Sequence, residues 1–134
     1  MKIFRFGKKN KRELTEEEKK HNKMWELWVT GEAASPFAEL MTYQSEVNNG
    51  GHLQYFDSIG SADGIEKETA AIATVLSEKL KNNLGNAYNA YLALCENEDD
   101  KNAETVMERC DSVFYENDEE IDGVLEEYAA EMKL

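Results

Sequence analysis

Proline is nearly absent: Pro36 is the single one in 134 residues, which excludes collagen-like, proline-rich and linker-rich architectures. Cysteine occurs twice, as Cys95 and Cys110. That is too few, at too wide a spacing, for a disulfide framework or a CxxC metal or redox site. Each falls on what reads as the apolar face of a helix, so both are expected as reduced core thiols. No apolar run approaches the ~18 residues of a membrane-spanning helix, and 32% charged residues with a mean hydropathy of −0.69 argue against a membrane protein. The start of the chain, Met1 to Arg12, has only Ile3, Phe4 and Phe6 as apolar content and lacks the hydrophobic stretch of a secretion signal. The cytoplasm is the expected location, without stable membrane association.

Catalytic constellations are missing too. The two histidines, His21 and His52, lie far apart in sequence and in no HxxxH or HExxH arrangement. Gly50-Gly51 is not followed by Lys-Ser/Thr, GxGxxG does not occur, and no serine sits in a nucleophile elbow. Asp99-Asp100-Lys101 lacks the alternating ligands of a calcium loop. Neither histidine has a glutamate three residues before it, as a di-metal bundle would need. The expectation is a protein that is not an enzyme and holds no metal or cofactor.

What the chain has in excess is acid: 28 Asp and Glu against 15 Lys and Arg, net −13. The imbalance is uneven. Residues 1–23 hold nine of the bases and are net +5, whereas residues 96–134 have fifteen acids and three bases. A body this acidic repels phosphate, so no direct nucleic-acid binding by it is expected and basic partners are favoured. Solubility is the ordinary alternative use of such charge.

The apolar spacing is helical nearly throughout, with no sustained period-two alternation. Residues 1–14 read as a basic, flexible segment and 15–134 as one all-α domain, a bundle of about six or seven helices. Thr15 with Glu18 forms a capping box for a first helix ending near Gly31. Ser35 as N-cap and Pro36 at the first helical position open a second, which stops at Asn48-Asn49-Gly50-Gly51. A short helix through Leu53, Tyr55 and Phe56 follows, broken at Gly60. Asp63 with Glu66 caps the next, whose face Ile65, Thr69, Ile72, Ala73, Leu76 and Leu80 ends where Gly85 interrupts Asn82 to Asn86. Two further faces run from Ala87 to Cys95 and from Ala103 to Phe114. Asn117 with Glu120 reads as a third capping box before a last helix with Ile121, Val124, Leu125, Tyr128, Ala129 and Met132.

The last helix carries the sharpest charge signal. Its first-turn acids suit the helix dipole, but Glu126, Glu127 and Glu131 approach its negative end. The like-charge pairs Asp122–Glu126 and Glu127–Glu131 each cost roughly 0.2–0.5 kcal/mol. Such a cost without nearby bases points to a partner that supplies positive charge. Glu116, Asp118, Glu119, Asp122, Glu126, Glu127 and Glu131 are therefore the candidate partner-binding face.

Residues 43–60, Tyr-Gln-Ser-Glu-Val-Asn-Asn-Gly-Gly-His-Leu-Gln-Tyr-Phe-Asp-Ser-Ile-Gly, resemble the signature of the DNA-mimic-protein C-terminal-domain family, a bacterial family mostly of unknown function. Ala87–Leu92 and Phe114–Ile121 look like later parts of the same domain, so that the resemblance spans about residues 20–130. It implies a cytosolic all-α fold. From the family's namesake it further implies an acidic homodimer that imitates the charge of DNA and occupies a DNA-binding transcription factor. Of the signature residues Asn48, Asn49, Gly50, Gly51, Gln54, Tyr55 and Phe56, the glycines are expected to permit a turn, Asn48 or Asn49 to cap the following helix, and the aromatics to enter the core. Gln54 has no evident duty beyond an amide bond to backbone.

Two functions follow as expectations. The first is an acidic domain that binds a basic protein, with a DNA-binding transcription factor as the specific case. The second is a binding or immunity-type module with a groove near the Asn-Asn-Gly-Gly motif, its charge serving solubility.

Overall fold

A computed structural model describes residues 15–131, and within them the chain is a bundle of six α-helices without strands. The basic segment 1–14 and Met132 lie outside the described residues. The helices are α1 (Glu16–Val29), α2 (Phe37–Ile59), α3 (Ala62–Ala73), α4 (Glu78–Glu96), α5 (Lys101–Glu116) and α6 (Asp118–Glu131).

The core gathers around α2. Leu40, Tyr43, Val47, Tyr55 and Phe56 are fully buried with Phe114 of α5, Ile121 of α6 and Leu80 of α4. The best-packed pair is the hairpin of α4 and α5, closed by the loop between them, where Asp100 caps α5 by accepting from the Ala103 N–H at 3.0 Å. The C-terminal half of α6 is pinned near the start of α2: Phe37 stacks on Tyr128 at 4.1 Å, and the Tyr128 hydroxyl accepts from the Ala34 N–H. Its first turns meet the middle of α2 through Gln44, so the two helices run antiparallel. α1 packs on α6, buries Met24 and donates from the Trp28 ring N–H to Thr42.

The capping box at Thr15 and Glu18 is present, and Gly60 ends α2 in the left-handed conformation. Other boundaries differ from the reading above, each for a physical reason. Pro36, not Ser35, is the N-cap of α2, and the Ser35 hydroxyl donates instead to Glu39 at 3.0 Å. Ser61 rather than Asp63 caps α3, because a hydroxyl directly after Gly60 reaches the Gly64 N–H at 3.0 Å. The apolar face Ile65–Leu80 is split between two helices. α3 ends at Ala73, and Ser77 caps α4 with its own N–H held by Glu120 of α6. Asn82 to Asn86 stay helical because Asn83 is buried and its amide donates to the Cys110 carbonyl at 2.9 Å. That tertiary bond overrides weak local propensity. Asn117 is the C-cap of α5, its amide donating to Val113, and forms no box with Glu120. Cys110 is buried, with its thiol pKa pushed up by that burial, but Cys95 is exposed and is not a core thiol.

Candidate functional site

The Asn-Asn-Gly-Gly stretch does not end α2 but kinks it. Gly50 (φ −158°, ψ 19°) and Gly51 (φ 82°, ψ −178°) leave helical geometry, and the helix resumes at His52. Gly51 occupies a region open essentially to glycine alone. A Cβ there would also stand 2.6 Å from the Asp111 carboxylate. A break in a helix orphans carbonyls before it and N–H groups after it. Both ends are met from α5, by two residues one helical turn apart. Tyr115 donates its hydroxyl to the Val47 carbonyl at 2.9 Å, and Asp111 accepts from the His52 N–H at 2.9 Å. Capping by Asn48 or Asn49 does not occur; both are exposed, and the carboxylate of another helix does that work.

His52 turns inward and is wholly buried. Its Nδ1 lies 2.7 Å from the same Asp111 oxygen and its Nε2 lies 2.7 Å from the Tyr43 hydroxyl. A carboxylate can only accept, so Nδ1 donates to Asp111, and Nε2 pairs with the Tyr43 hydroxyl. Burial pushes the Tyr43 hydroxyl pKa up, with the charges of Cys110 and Asp111 adding to it. The rings of Tyr55 and Phe114 stand edge-on to Tyr43 at 5.0 and 5.3 Å, so the His52–Tyr43 end of the chain is sealed in aromatic packing. Tyr55 and Phe56 are core residues as expected. Gln54 is exposed, and its amide reaches across the kink to Glu46 at 2.9 Å rather than to backbone.

The seam continues toward α6. Gln44, two helical turns before the kink, donates to Asp118 at 3.1 Å and to Asp122 at 2.8 Å. Gln44, Val47 and Gly51 thus form one line along α2, facing Asp111, Tyr115, Asp118 and Asp122. Partial burial raises the Asp118 pKa; the Gln44 bond opposes that shift and Asp122 adds to it. Asp111, Gln44 and Tyr115 were not singled out in the sequence. The three- and four-residue spacing of Asp111, Tyr115, Asp118 and Asp122 was the visible signal, hidden by the helix break at Asn117.

The candidate acidic face therefore divides. Asp118 and Asp122 are half-buried and engaged with Gln44. Glu116, Glu119, Glu126, Glu127 and Glu131 are exposed, and their side chains make no hydrogen bond or ion pair with another described residue. At 100° per residue, Glu119 and Glu126 share one outer line of α6, and Glu127 and Glu131 another. Over residues 15–131 the chain carries 27 carboxylates against eight Lys and Arg, net −19. Among the described residues, lysine ion pairs lie elsewhere: Lys19–Glu16, Lys81–Glu78 and Lys101–Glu104.

An open cavity of about 320 Å³ lies between α3 and α4, lined by Ala70, Ala73, Leu84 and Tyr88 among others, with no residue of the Asn48–Phe56 motif in it. Among the described residues no three His, Cys, Asp or Glu side chains come together as a metal-ligating set, and no helix is long and apolar enough to cross a membrane.

Fold and surface define an all-helical acidic domain built on a kinked central helix that is fastened by an Asp–His–Tyr chain, with the His and Tyr buried. Residues 32–132 match the family of DMP19-like proteins, and the chain belongs to that family. The match takes in α2 to α6 with the whole kink, starts later than residue 20, and leaves α1 outside. Searches of curated proteins and of solved structures returned no match.

Proposed function

We propose that this protein is a DNA mimic: it binds a basic protein, a DNA-binding transcription factor in the specific case, by presenting carboxylates where that partner meets phosphates. The observation that carries the reading is the set of exposed carboxylates along α6 and at Glu116 that pair with no other described residue, on residues 15–131 of net charge −19. α6 has seven acids and no base in fourteen residues. At 1.5 Å rise this is one charge per ~3 Å of axis, close to the ~3.4 Å of one DNA strand. Counting only the exposed Glu119, Glu126, Glu127 and Glu131, the spacing is about 5 Å, still dense enough to draw Lys and Arg. Membership of the DMP19-like family supports the same reading.

The test is a pull-down from cell lysate on the immobilised chain, eluted first with duplex DNA and then with salt. A basic DNA-binding protein released by the duplex is the expected result, with loss of capture by the triple variant Glu126→Lys, Glu127→Lys, Glu131→Lys. A partner that DNA does not displace, or one that the triple variant still holds, would sink the proposal.

A further inference from the structure

Asp111 hydrogen-bonds the kink through one oxygen only, while its Oδ2 lies 2.6 Å from where a Gly51 Cβ would stand. Both bonds from His52 fall on Oδ1, at 2.9 and 2.7 Å, while Oδ2 receives none from a described residue and a quarter of the side chain is open to solvent. Arg109, two residues back, makes no ion pair with it. One turn further along α5 Tyr115 is 49% exposed as a residue, yet its side chain is held at both ends. Its hydroxyl donates to Val47, and its ring stands edge-on to Phe114 at 5.6 Å. Burial and then the Asp111 charge raise the Tyr115 hydroxyl pKa, in keeping with their closeness. Asn48 and Asn49 directly precede the kink, Leu53, 42% exposed, follows it, and Glu108 stands three residues before Asp111 on α5; all four are exposed. Among the described residues, two of the four large exposed hydrophobic ones belong to this region: Leu53 just after the kink, and Tyr115 bonded to Val47 just before it.

A free carboxylate oxygen beside a fixed, half-open aromatic ring suits one kind of cation better than another. A guanidinium is planar, donates in a fork to a carboxylate and stacks on an aromatic face, whereas an ammonium is compact and strongly hydrated. We propose that Asp111 Oδ2 and the Tyr115 ring take an arginine side chain of a basic protein partner. The kink then adds arginine selectivity to a surface whose α6 carboxylates attract either cation. This rests on the acidic-face reading above, and it assigns the surface of the Asn-Asn-Gly-Gly region a role in choosing the partner.

Octa-arginine and octa-lysine peptides titrated against the full chain at fixed salt separate the two ideas. The arginine peptide should bind tighter by roughly two- to five-fold, the range of an exposed cation–ring contact. Tyr115→Phe keeps the ring and loses only the Val47 bond, so it should retain the preference; Tyr115→Leu should lose it. Both variants are checked for folding by circular dichroism. Should the leucine variant not fold, the wild-type Tyr115 ring resonances decide, shifting with the arginine peptide and not with the lysine peptide. Equal affinities, a preference unchanged in Tyr115→Leu, or loss of it in a folded Tyr115→Phe would overturn the arginine contact and leave the acidic-face reading standing. Failure of both peptides to bind would overturn both.

Discussion

Asp111 and Glu127 are both carboxylates on helix surfaces of the same bundle, and they do opposite things. Asp111 is fastened to the backbone and ring of His52, and its position dictates a glycine at 51. Glu127 is exposed and bonds to no described residue. The seam between α2 and α5 uses charge to satisfy buried donors, where one lost partner leaves a polar group stranded at a cost of several kcal/mol. The outer face of α6 holds charge in water, where like-charge neighbours cost only tenths. Stability therefore rests on Asp111 and not on the outer carboxylates of α6, so substitutions on α6 can test the proposed partner binding without disturbing the fold.

The largest effect should come from Gly51→Ala. It forces a side chain into a glycine-only conformation and into the Asp111 carboxylate, so a loss of about 4 kcal/mol is expected in urea unfolding. A loss under 1 kcal/mol would mean that the kink is not held as described. Next is Asp111→Ala, which strands the His52 N–H and ring N–H inside the core; about 3 kcal/mol should be lost. By contrast Gly123→Ala, in α6 with open space at the Cβ position, should stabilise by roughly 0.5–1 kcal/mol in the same measurement.

The smallest effects test the outer face and its flank. Glu126→Gln, Glu127→Gln and Glu131→Gln together should shift stability by no more than ~0.5 kcal/mol, upward if at all, while weakening capture of the basic partner. Asp118→Asn probes the half-buried flank through pH. The raised Asp118 pKa means that the folded state binds its proton more tightly than the unfolded chain does. Stability from this group thus falls as pH rises from the ordinary carboxylate value of 3.8 through the raised one. The variant, which keeps an acceptor for Gln44, should be more stable than wild type at pH 7, and that advantage should shrink on acidification through the same window. An advantage that grows with acid would show the opposite sign and refute the assignment.

Local chemistry made part of this legible. Thr15 with Glu18, the glycine at 60 and the apolar periodicity of α5 act within one or two turns, and they read correctly from spacing alone. The acidity of the chain and the helical class of its fold were plain from composition and period. The misread boundaries have two causes: Ser35, Ser61 and Asn117 make local side-chain bonds other than the expected ones. At Ser77 and Asn83 a hydrogen bond comes from, or leads to, a residue of a distant helix. No local pattern encodes such a partner.

The motif shows the same limit more sharply. That Asn48-Asn49-Gly50-Gly51 bends the chain follows from glycine's freedom, which is a property of the residue itself. That the bend is a kink inside α2, held by Asp111 and Tyr115 and closed by a buried His52–Tyr43 bond, depends on α5 being packed beside it. Sequence alone determined how much negative charge the protein carries, because charge is a sum over side chains. Which carboxylates are free for a partner and which are bound into the fold was decided only by tertiary structure, because burial and hydrogen bonding depend on what the folded chain brings alongside each one.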